Sequence, residues 1–248
     1  MNQSDLALIT AFINRSIDQF HADRLRLIQS LKLNDILRRK NPYLFRAKNI
    51  TSPEELITSF VDATLSSSEE GLFGRFLEEL AIYVNQITSG GQKSSSPGID
   101  LEFNRDNTRY LVAIKSGLNW GNSSQHRALE NNFKQALVVL RQSRQVVNAQ
   151  AVLGICYGRA KDSDKGMYRR ICGQRFWTFI SGDPDLYRHI VEPLGYNAAD
   201  KNELFQEQKG LTLKRLVEVF NASFCDANGS INWQQLVEFN SGNLNSDE

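Results

Sequence analysis

The spacing of apolar side chains changes at residue 99, and that change limits what this chain can build. Ile99, Leu101 and Phe103 alternate with Asp100 and Glu102, while Tyr110, Val112 and Ile114 alternate with Leu111, Ala113 and Lys115. The turn-forming run Asn104-Arg105-Asp106-Asn107-Thr108 lies between, so the pattern predicts a β-hairpin. On either side the spacing is helical. Residues 4 to 39 carry Leu6, Ile9, Phe12, Ile13, Ile17 and Phe20 in a three-to-four rhythm, which predicts one long or two short amphipathic helices ending at Asn41-Pro42. A second helix opens at Ser52-Pro53-Glu54-Glu55, with a serine cap, proline in the first turn and acids at the positive end of the dipole. It is expected to stop near Leu65, where Ser66-Ser67-Ser68-Glu69 breaks it, and a third helix is expected over residues 70 to 87. A Gly/Ser loop over 88 to 98 leads into the hairpin. Beyond it come a loop at 116 to 124, a helix over 125 to 143, a strand over 149 to 157, and helical segments around 168 to 180, 184 to 191, 202 to 221 and 233 to 239. No internal repeat is visible. The expectation is an α/β fold, a mixed central sheet flanked by helices, with helical extensions at both ends.

At 248 residues, with 41% hydrophobic and 23% charged side chains, the chain has material for one large domain or one domain with an appendage. That composition excludes a disordered tail, a collagen-like repeat and a disulfide-stapled miniprotein. The longest apolar runs, such as residues 136 to 140, are far shorter than the roughly 20 residues that cross a bilayer. The start Met-Asn-Gln-Ser-Asp has neither the basic residues nor the apolar core of a signal peptide. Cys156, Cys172 and Cys225 are odd in number and widely spaced, without a CxxC or CxxH partner, so a reducing cytoplasm is expected and a structural zinc site is not. The net charge of +1 conceals blocks. Lys and Arg outnumber Asp and Glu by 13 to 4 in residues 104 to 175 and by 9 to 4 in residues 1 to 48, while residues 49 to 90 and 176 to 248 are acidic. Blocks of this kind are solvated faces or the approach to a polyanion, and motifs inside them must decide.

The hairpin carries the chemistry. A period of two puts Asp100 and Glu102 on one face, with Ala113 and Lys115 on the matching face of the second strand. Pairing Phe103 with Tyr110 sets Asp100 opposite Ala113, with Lys115 just beyond. Carboxylates here can hold Mg²⁺ through oxygen, and the ammonium can orient a water and stabilise charge on a phosphate; these are the parts of metal-assisted phosphodiester hydrolysis. An exposed hairpin face with ordinary charges is the plainer reading. Against it stand Pro97-Gly98 just before Asp100 and the polar loop that follows Lys115.

Residues 97 to 115, Pro-Gly-Ile-Asp followed by Tyr-Leu-Val-Ala-Ile-Lys, resemble the active-site hairpin of the PD-(D/E)xK nucleases. The string Ile-Lys-Ser-Gly-Leu-Asn-Trp-Gly-Asn-Ser-Ser-Gln at 114 to 125, with Cys-Gly-Gln-Arg-Phe-Trp at 172 to 177, is similar to bacterial type II restriction endonucleases, a likeness running from Asn41 to about Trp233. The resemblance implies that Asp100 is the bridging metal ligand and Lys115 the lysine of the motif. Ala113 stands where the motif has its second acid, so another carboxylate must supply that ligand: Glu102, on the same strand face as Asp100, then Glu78 on the preceding helix, then Glu130. Glu79 competes with Glu78, because the sequence leaves that helix unphased. One-metal and two-metal chemistry both remain open.

The loop leaving the catalytic strand offers Ser116, Asn119, Trp120, Asn122, Ser123, Ser124 and Gln125 to phosphates or base edges, with Gly117 and Gly121 allowing close backbone approach, although Trp120 could equally cap the core. Arg127, Lys134, Arg141 and Arg144 follow at helical spacing and could track a backbone or line a solvated face. In residues 157 to 175, Arg159, Lys161, Lys165, Arg169, Arg170, Gln174 and Arg175 are candidates for base readout, since Arg reads guanine and Gln reads adenine in the major groove. Phe176, Trp177, Phe179 and Ile180 read as core. His21, His126 and His189 share no spacing, and no GxxxxGKS is present, so neither a histidine-based hydrolase nor an ATP-driven motor is indicated. The resemblance therefore implies a Mg²⁺-dependent type II restriction endonuclease that cuts both strands of double-stranded DNA at a specific sequence, leaving 5′-phosphates, and leans towards a short GC-rich palindrome. A homodimer, a cognate DNA methyltransferase and no membrane are the expected partners and setting. Residues 1 to 65 form the expected N-terminal helical region, 66 to 240 the nuclease core with its DNA-recognition elements, and 241 to 248 a flexible tail. The rivals are a structure-specific repair or recombination nuclease and a non-catalytic DNA-binding protein.

Overall fold

The computed structural model describes residues 1–142 and 148–243, so Arg144 and the end of the tail from 244 onward lie outside the described residues. The chain divides into two compact units: Met1–Gln19 with Leu72–Tyr196, and Phe20–Gly71 with Asn197–Glu248. The first contains the sheet. Its strands are β1 (Gln92–Lys93), β2 (Leu101–Arg105), β3 (Thr108–Lys115), β4 (Asn148–Ile155), β5 (Ser163–Asp164) and β6 (Arg169–Cys172), ordered β1-β2-β3-β4-β6-β5. β3, β4 and β6 run parallel, whereas β1, β2 and β5 pair antiparallel with their neighbours, giving the mixed sheet that the sequence predicts.

The hairpin register is the expected one, with Phe103 opposite Tyr110 and Leu101 opposite Val112. Its turn is tighter than the five-residue run suggested. Only Asp106 and Asn107 lie between the strands, both at positive φ (48° and 57°), the geometry whose twist matches a two-residue hairpin and which Asp and Asn tolerate best among side-chain-bearing residues. Both sheet faces are covered. Leu101, Phe103, Val112, Ile114, Val152 and Ile171 pack on Phe76, Leu80, Ala81 and Val84 of helix α4 (Pro53–Ser89) and on Phe176, Trp177 and Ile180 of helix α6 (Gln174–Ser181). Leu111, Ala113, Ala151, Leu153 and Ile155 pack on Leu129, Phe133, Ala136 and Leu137 of helix α5 (Ser123–Gln142). Full burial of the middle of β3 and β4 explains their near-continuous apolar runs, as expected of parallel strands covered on both sides.

The helices are α1 (Gln3–Ser30), α2 (Leu33–Arg39), α3 (Pro42–Ala47), α4 (Pro53–Ser89), α5 (Ser123–Gln142), α6 (Gln174–Ser181), α7 (Leu186–His189), α8 (Val191–Leu194), α9 (Ala198–Phe224) and α10 (Trp233–Ser241). In the second unit Ile28, Leu33, Ile36, Leu37, Leu56, Phe60, Val61, Phe205, Leu216 and Phe220 share a core. Among the described residues no helix is long and apolar enough to cross a membrane.

Two expectations fail. Ser66-Ser67-Ser68-Glu69 does not break a helix: α4 runs unbroken for 37 residues. Serine weakens a helix only slightly, and here Leu56, Phe60, Val61 and Leu65 before the run, and Phe76, Leu77 and Leu80 after it, are buried, while Glu69 pairs with Arg24 at 2.7 Å. The segment expected to be helical from 168 holds β6 before α6, because the short Arg-Arg-Ile-Cys strand buries only Ile171 and Cys172 and has too little alternation to read. The continuous helix is testable at exposed Ser67: Ser67→Ala should stabilise the protein by about 0.5 kcal/mol and Ser67→Gly should destabilise it by a similar amount in urea unfolding, whereas a break at that position predicts no such pair of opposite changes.

Candidate active site

A tight turn delivers Asp100 to the sheet. The Ile99 N–H donates to the Ser96 carbonyl at 3.1 Å, closing Ser96-Pro97-Gly98-Ile99, and Gly98 sits at φ 72° as the third residue of a type II turn. A Cβ at Gly98 would come within 2.1 Å of the Asn132 side chain on α5. Asp100 is then fixed on three sides. Its N–H donates to the Val112 carbonyl at 2.9 Å, its carbonyl accepts from the Ser94 N–H at 3.2 Å, and its Oδ2 accepts from the Ile114 N–H at 2.6 Å. Lys115 ends β3 half-buried, with its Nζ 5.7 Å from the centre of the Trp120 ring.

Glu78 comes to the same place from α4. The helix phase, open in the sequence, is resolved: Glu78 is half-buried and Glu79 is exposed. Burial raises the Glu78 carboxyl above its ordinary range, and the Asp100 charge raises it further, against the opposing pull of Lys115 and Lys93. Asp100 is also raised by burial, opposed by the Ile114 N–H, Lys115 and Lys93. Buried Cys156, at the end of β4, feels Glu78, Asp100 and Lys115, and its thiol is pushed well up by burial first. Two desolvated carboxylates and two amines thus share one end of the hairpin.

Glu102 is placed differently. It is 8% exposed, and both carboxylate oxygens are engaged: Oε2 by Arg109 at 2.6 Å and Oε1 by the Ser94 hydroxyl. Glu130 is exposed on α5, where its charge acts on Tyr168. The structure therefore brings together Glu78, Asp100 and Lys115 and turns Glu102 to clamping the strands. Among the described residues no group of three or more His, Cys, Asp or Glu is arranged to hold a metal ion. Two carboxylates do fit a Mg²⁺ ion, which is commonly held by one or two carboxylates with water and substrate phosphate completing the octahedron.

The loops around this end are locked together. Tyr157 N–H donates to the Ser116 carbonyl and Cys156 N–H to the Lys115 carbonyl, both at 2.9 Å, and Gly173 N–H donates to the Ile155 carbonyl at 2.9 Å. A Cβ at Gly117 would strike the Tyr157 ring at 2.7 Å, one at Gly158 the Leu118 side chain at 2.8 Å, and one at Gly173 the Gly158 carbonyl at 2.9 Å. Ser116 is half-buried, facing Gly74 of α4. Asn119 and Ser123 are exposed, and Trp120 is half-buried against the α5 side of the core, edge-on to His126. Asn122, Ser124 and Gln125 form the α5 cap: Asn122 Oδ1 accepts from the Ser124 and Gln125 N–H groups at 3.1 Å, and Gln125 Oε1 accepts from the Asn122 N–H at 2.9 Å.

Arg159 and Lys165 are exposed, and Arg170 is half-buried on β6. The Gln174 amide donates to the Pro184 carbonyl at 3.0 Å. Arg175 shares Asp162 with Arg169, at 3.2 and 2.9 Å, and these residues line a groove of about 470 Å³ with Gln150, Gln174 and Phe179. The sequence reading passed over Lys93, hidden in a Gly/Ser loop with no periodicity. It also passed over Arg109, although the hairpin register alone sets Arg109 opposite Asn104 and diagonal to Glu102.

The sequence pattern of the family described as type II restriction endonuclease EcoO109I matches residues 7–202, more than three quarters of the chain and every residue discussed above for the site. Among curated proteins, no significant match is found.

Two outcomes test the geometry. Gly98→Ala should destabilise the protein by about 1–2 kcal/mol from the left-handed backbone alone, before the Asn132 contact is counted, as read by urea unfolding. Glu78→Gln should raise the melting temperature at neutral pH. A carboxyl raised by burial favours the folded state while protonated and loses that contribution as pH rises through its folded pKa, so the advantage of Gln should shrink as the solution is acidified; an unchanged difference across pH would show that Glu78 is not desolvated.

Proposed function

Because the chain belongs to the EcoO109I family of type II restriction endonucleases, a nuclease family with DNA as substrate, we propose that Asp100, Glu78 and Lys115 form its active site in Mg²⁺-dependent, sequence-specific cleavage of double-stranded DNA. The α/β architecture, a mixed six-stranded open sheet flanked by helices, is consistent with a restriction-endonuclease-like fold. One observation carries the assignment: the convergence of the Asp100 and Glu78 carboxylates with the Lys115 amine at the open end of β3.

In this reading the hairpin is the PD-(D/E)xK motif with its second acid moved to a helix. Glu78 stands in for the carboxylate that Ala113 lacks, and Ala113 is fully buried against α5, where a charge would be costly. Asp100 and Glu78 would hold Mg²⁺, which when bound would polarise the scissile phosphate and lower the pKa of water. Asp100 keeps its orientation because the Ile114 N–H engages one of its oxygens. Lys115, packed against Trp120, orients the attacking water and balances charge on the phosphate. With two carboxylates at hand, one ion per site is favoured over two. Hydrolysis leaves a 5′-phosphate and a 3′-hydroxyl.

The outward side chains of the two interlocked loops, Asn119 and Arg159 first, contact the duplex, with Lys165, Arg170 and Arg175 further along the same basic segment. A palindromic site read by identical subunits calls for a two-fold dimer, each subunit cutting one strand. A protein that cuts a short sequence also endangers the DNA of its own cell, so a methyltransferase that marks the same sequence is the fitting partner, and the compartment holding that DNA, the cytoplasm of a bacterium, the fitting location.

Incubation of plasmid DNA with the protein and Mg²⁺ should give discrete fragments whose sequenced ends share one motif. A smear, or cleavage only at junctions, points instead to a nuclease that reads DNA structure. Lys115→Ala should lower the cleavage rate by at least about 10²-fold while leaving DNA binding in Ca²⁺ intact. Cleavage at the wild-type rate refutes the assignment.

A further inference from the structure

Lys93 lies at this end of the hairpin without a role in the chemistry above. It sits on β1, opposite Leu101, and Leu101 faces the α4 side of the sheet, the side from which Glu78 arrives. The next residue, Ser94, donates its N–H to the Asp100 carbonyl at 3.2 Å, so the backbone that carries Lys93 is bonded to the backbone that carries the central carboxylate. Lys93 is exposed, and among the described residues it makes no ion pair, yet it is near enough for its charge to act on both Glu78 and Asp100. A two-residue edge strand would ordinarily hold a side chain poorly. Here β1 is clamped: the Ser94 hydroxyl donates to Glu102, which is itself paired with Arg109 of β3 and nearly buried. The same clamp that ties β2 to β3 fixes the root of Lys93 relative to Asp100, although Gln92 and Lys93 are themselves exposed.

Charge balance gives the position a meaning. With both ionised, Glu78 and Asp100 outnumber Lys115 by one charge, so a phosphate approaching before a divalent ion is bound meets net repulsion. A second ammonium on the open side offsets that repulsion. We propose that Lys93 is a second cationic contact to the phosphate at the reaction centre, held there by the Ser94–Glu102–Arg109 clamp and pairing with the DNA backbone rather than with a protein carboxylate. The inference rests on the active-site assignment above. It makes Glu102 a positioning residue for substrate.

The test compares wild type with Lys93→Met and Lys93→Arg, using a labelled fragment of a plasmid for binding in Ca²⁺ across salt concentrations and the same plasmid for single-turnover cleavage in Mg²⁺. For Lys93→Met, the slope of log affinity against log salt should shrink by about 0.9, the loss of one phosphate contact on duplex DNA, and the cleavage rate should fall. Lys93→Arg should retain both, and equal melting temperatures show that the fold is not the cause. An unchanged slope overturns the proposal and leaves Lys93 as one of the charges that discourage edge-to-edge pairing of sheets. A reduced slope with an unchanged cleavage rate overturns it too, since the contact is then with a phosphate away from the reaction. If the wild type binds the fragment but cuts no DNA, the active-site assignment fails, while the salt slope still decides whether Lys93 meets a phosphate.

Discussion

The hydrogen bond from the Ile114 N–H to Asp100 Oδ2 at 2.6 Å is the constraint on which the site depends. A carboxylate at the end of a sheet, partly removed from water, is pushed towards its neutral form, and a neutral acid would neither hold a cation nor complement an amine. A backbone donor aimed at the ionised form works against that push and fixes where the charge sits. The donor is available because the hairpin register is set by the Asp106-Asn107 turn. In a structure with a period of two, a slip of one residue would carry Asp100 to the opposite face and pair the donor elsewhere.

The elements that positioned this carboxylate were legible in the sequence because they are governed by local rules. Alternation named the hairpin strands and their register, and Pro97-Gly98 marked the entry to the first strand just before Asp100. What was illegible depended on partners distant in the chain. The serine run in α4 reads as a breaker by propensity, and only the apolar residues buried on either side of it override that weak preference. β6 is too short for a period to register.

The second acid of the motif shows the same division. Strand-face logic ranks Glu102 first, since it shares a face with Asp100, but this logic does not count competitors for a carboxylate. Arg109, diagonal across the hairpin, and Ser94, just after a two-residue strand hidden in a loop, take both its oxygens. Glu78 ranked only second and could not be told from Glu79 without the phase of α4, which the sequence left open by one residue; in the structure Glu78 is half-buried and Glu79 exposed. Lys93 lacked any local signal at all; its place follows from the pairing of β1 with β2.

The glycines at 117, 158 and 173 have a consequence for how a scaffold like this can change what it reads. Each lets one loop rest against another so closely that a methyl group would collide. The two loops after β3 and β4 and the start of α6 therefore behave like interleaved fingers: lengthening or shortening one would dislodge the others and, through Ser116 and Cys156, the ends of β3 and β4. Under the proposed function, drift in target preference is thereby channelled into the few exposed side chains of the weave, Asn119 and Arg159 among them, and retooling by loop grafting would have to move all three segments as a set.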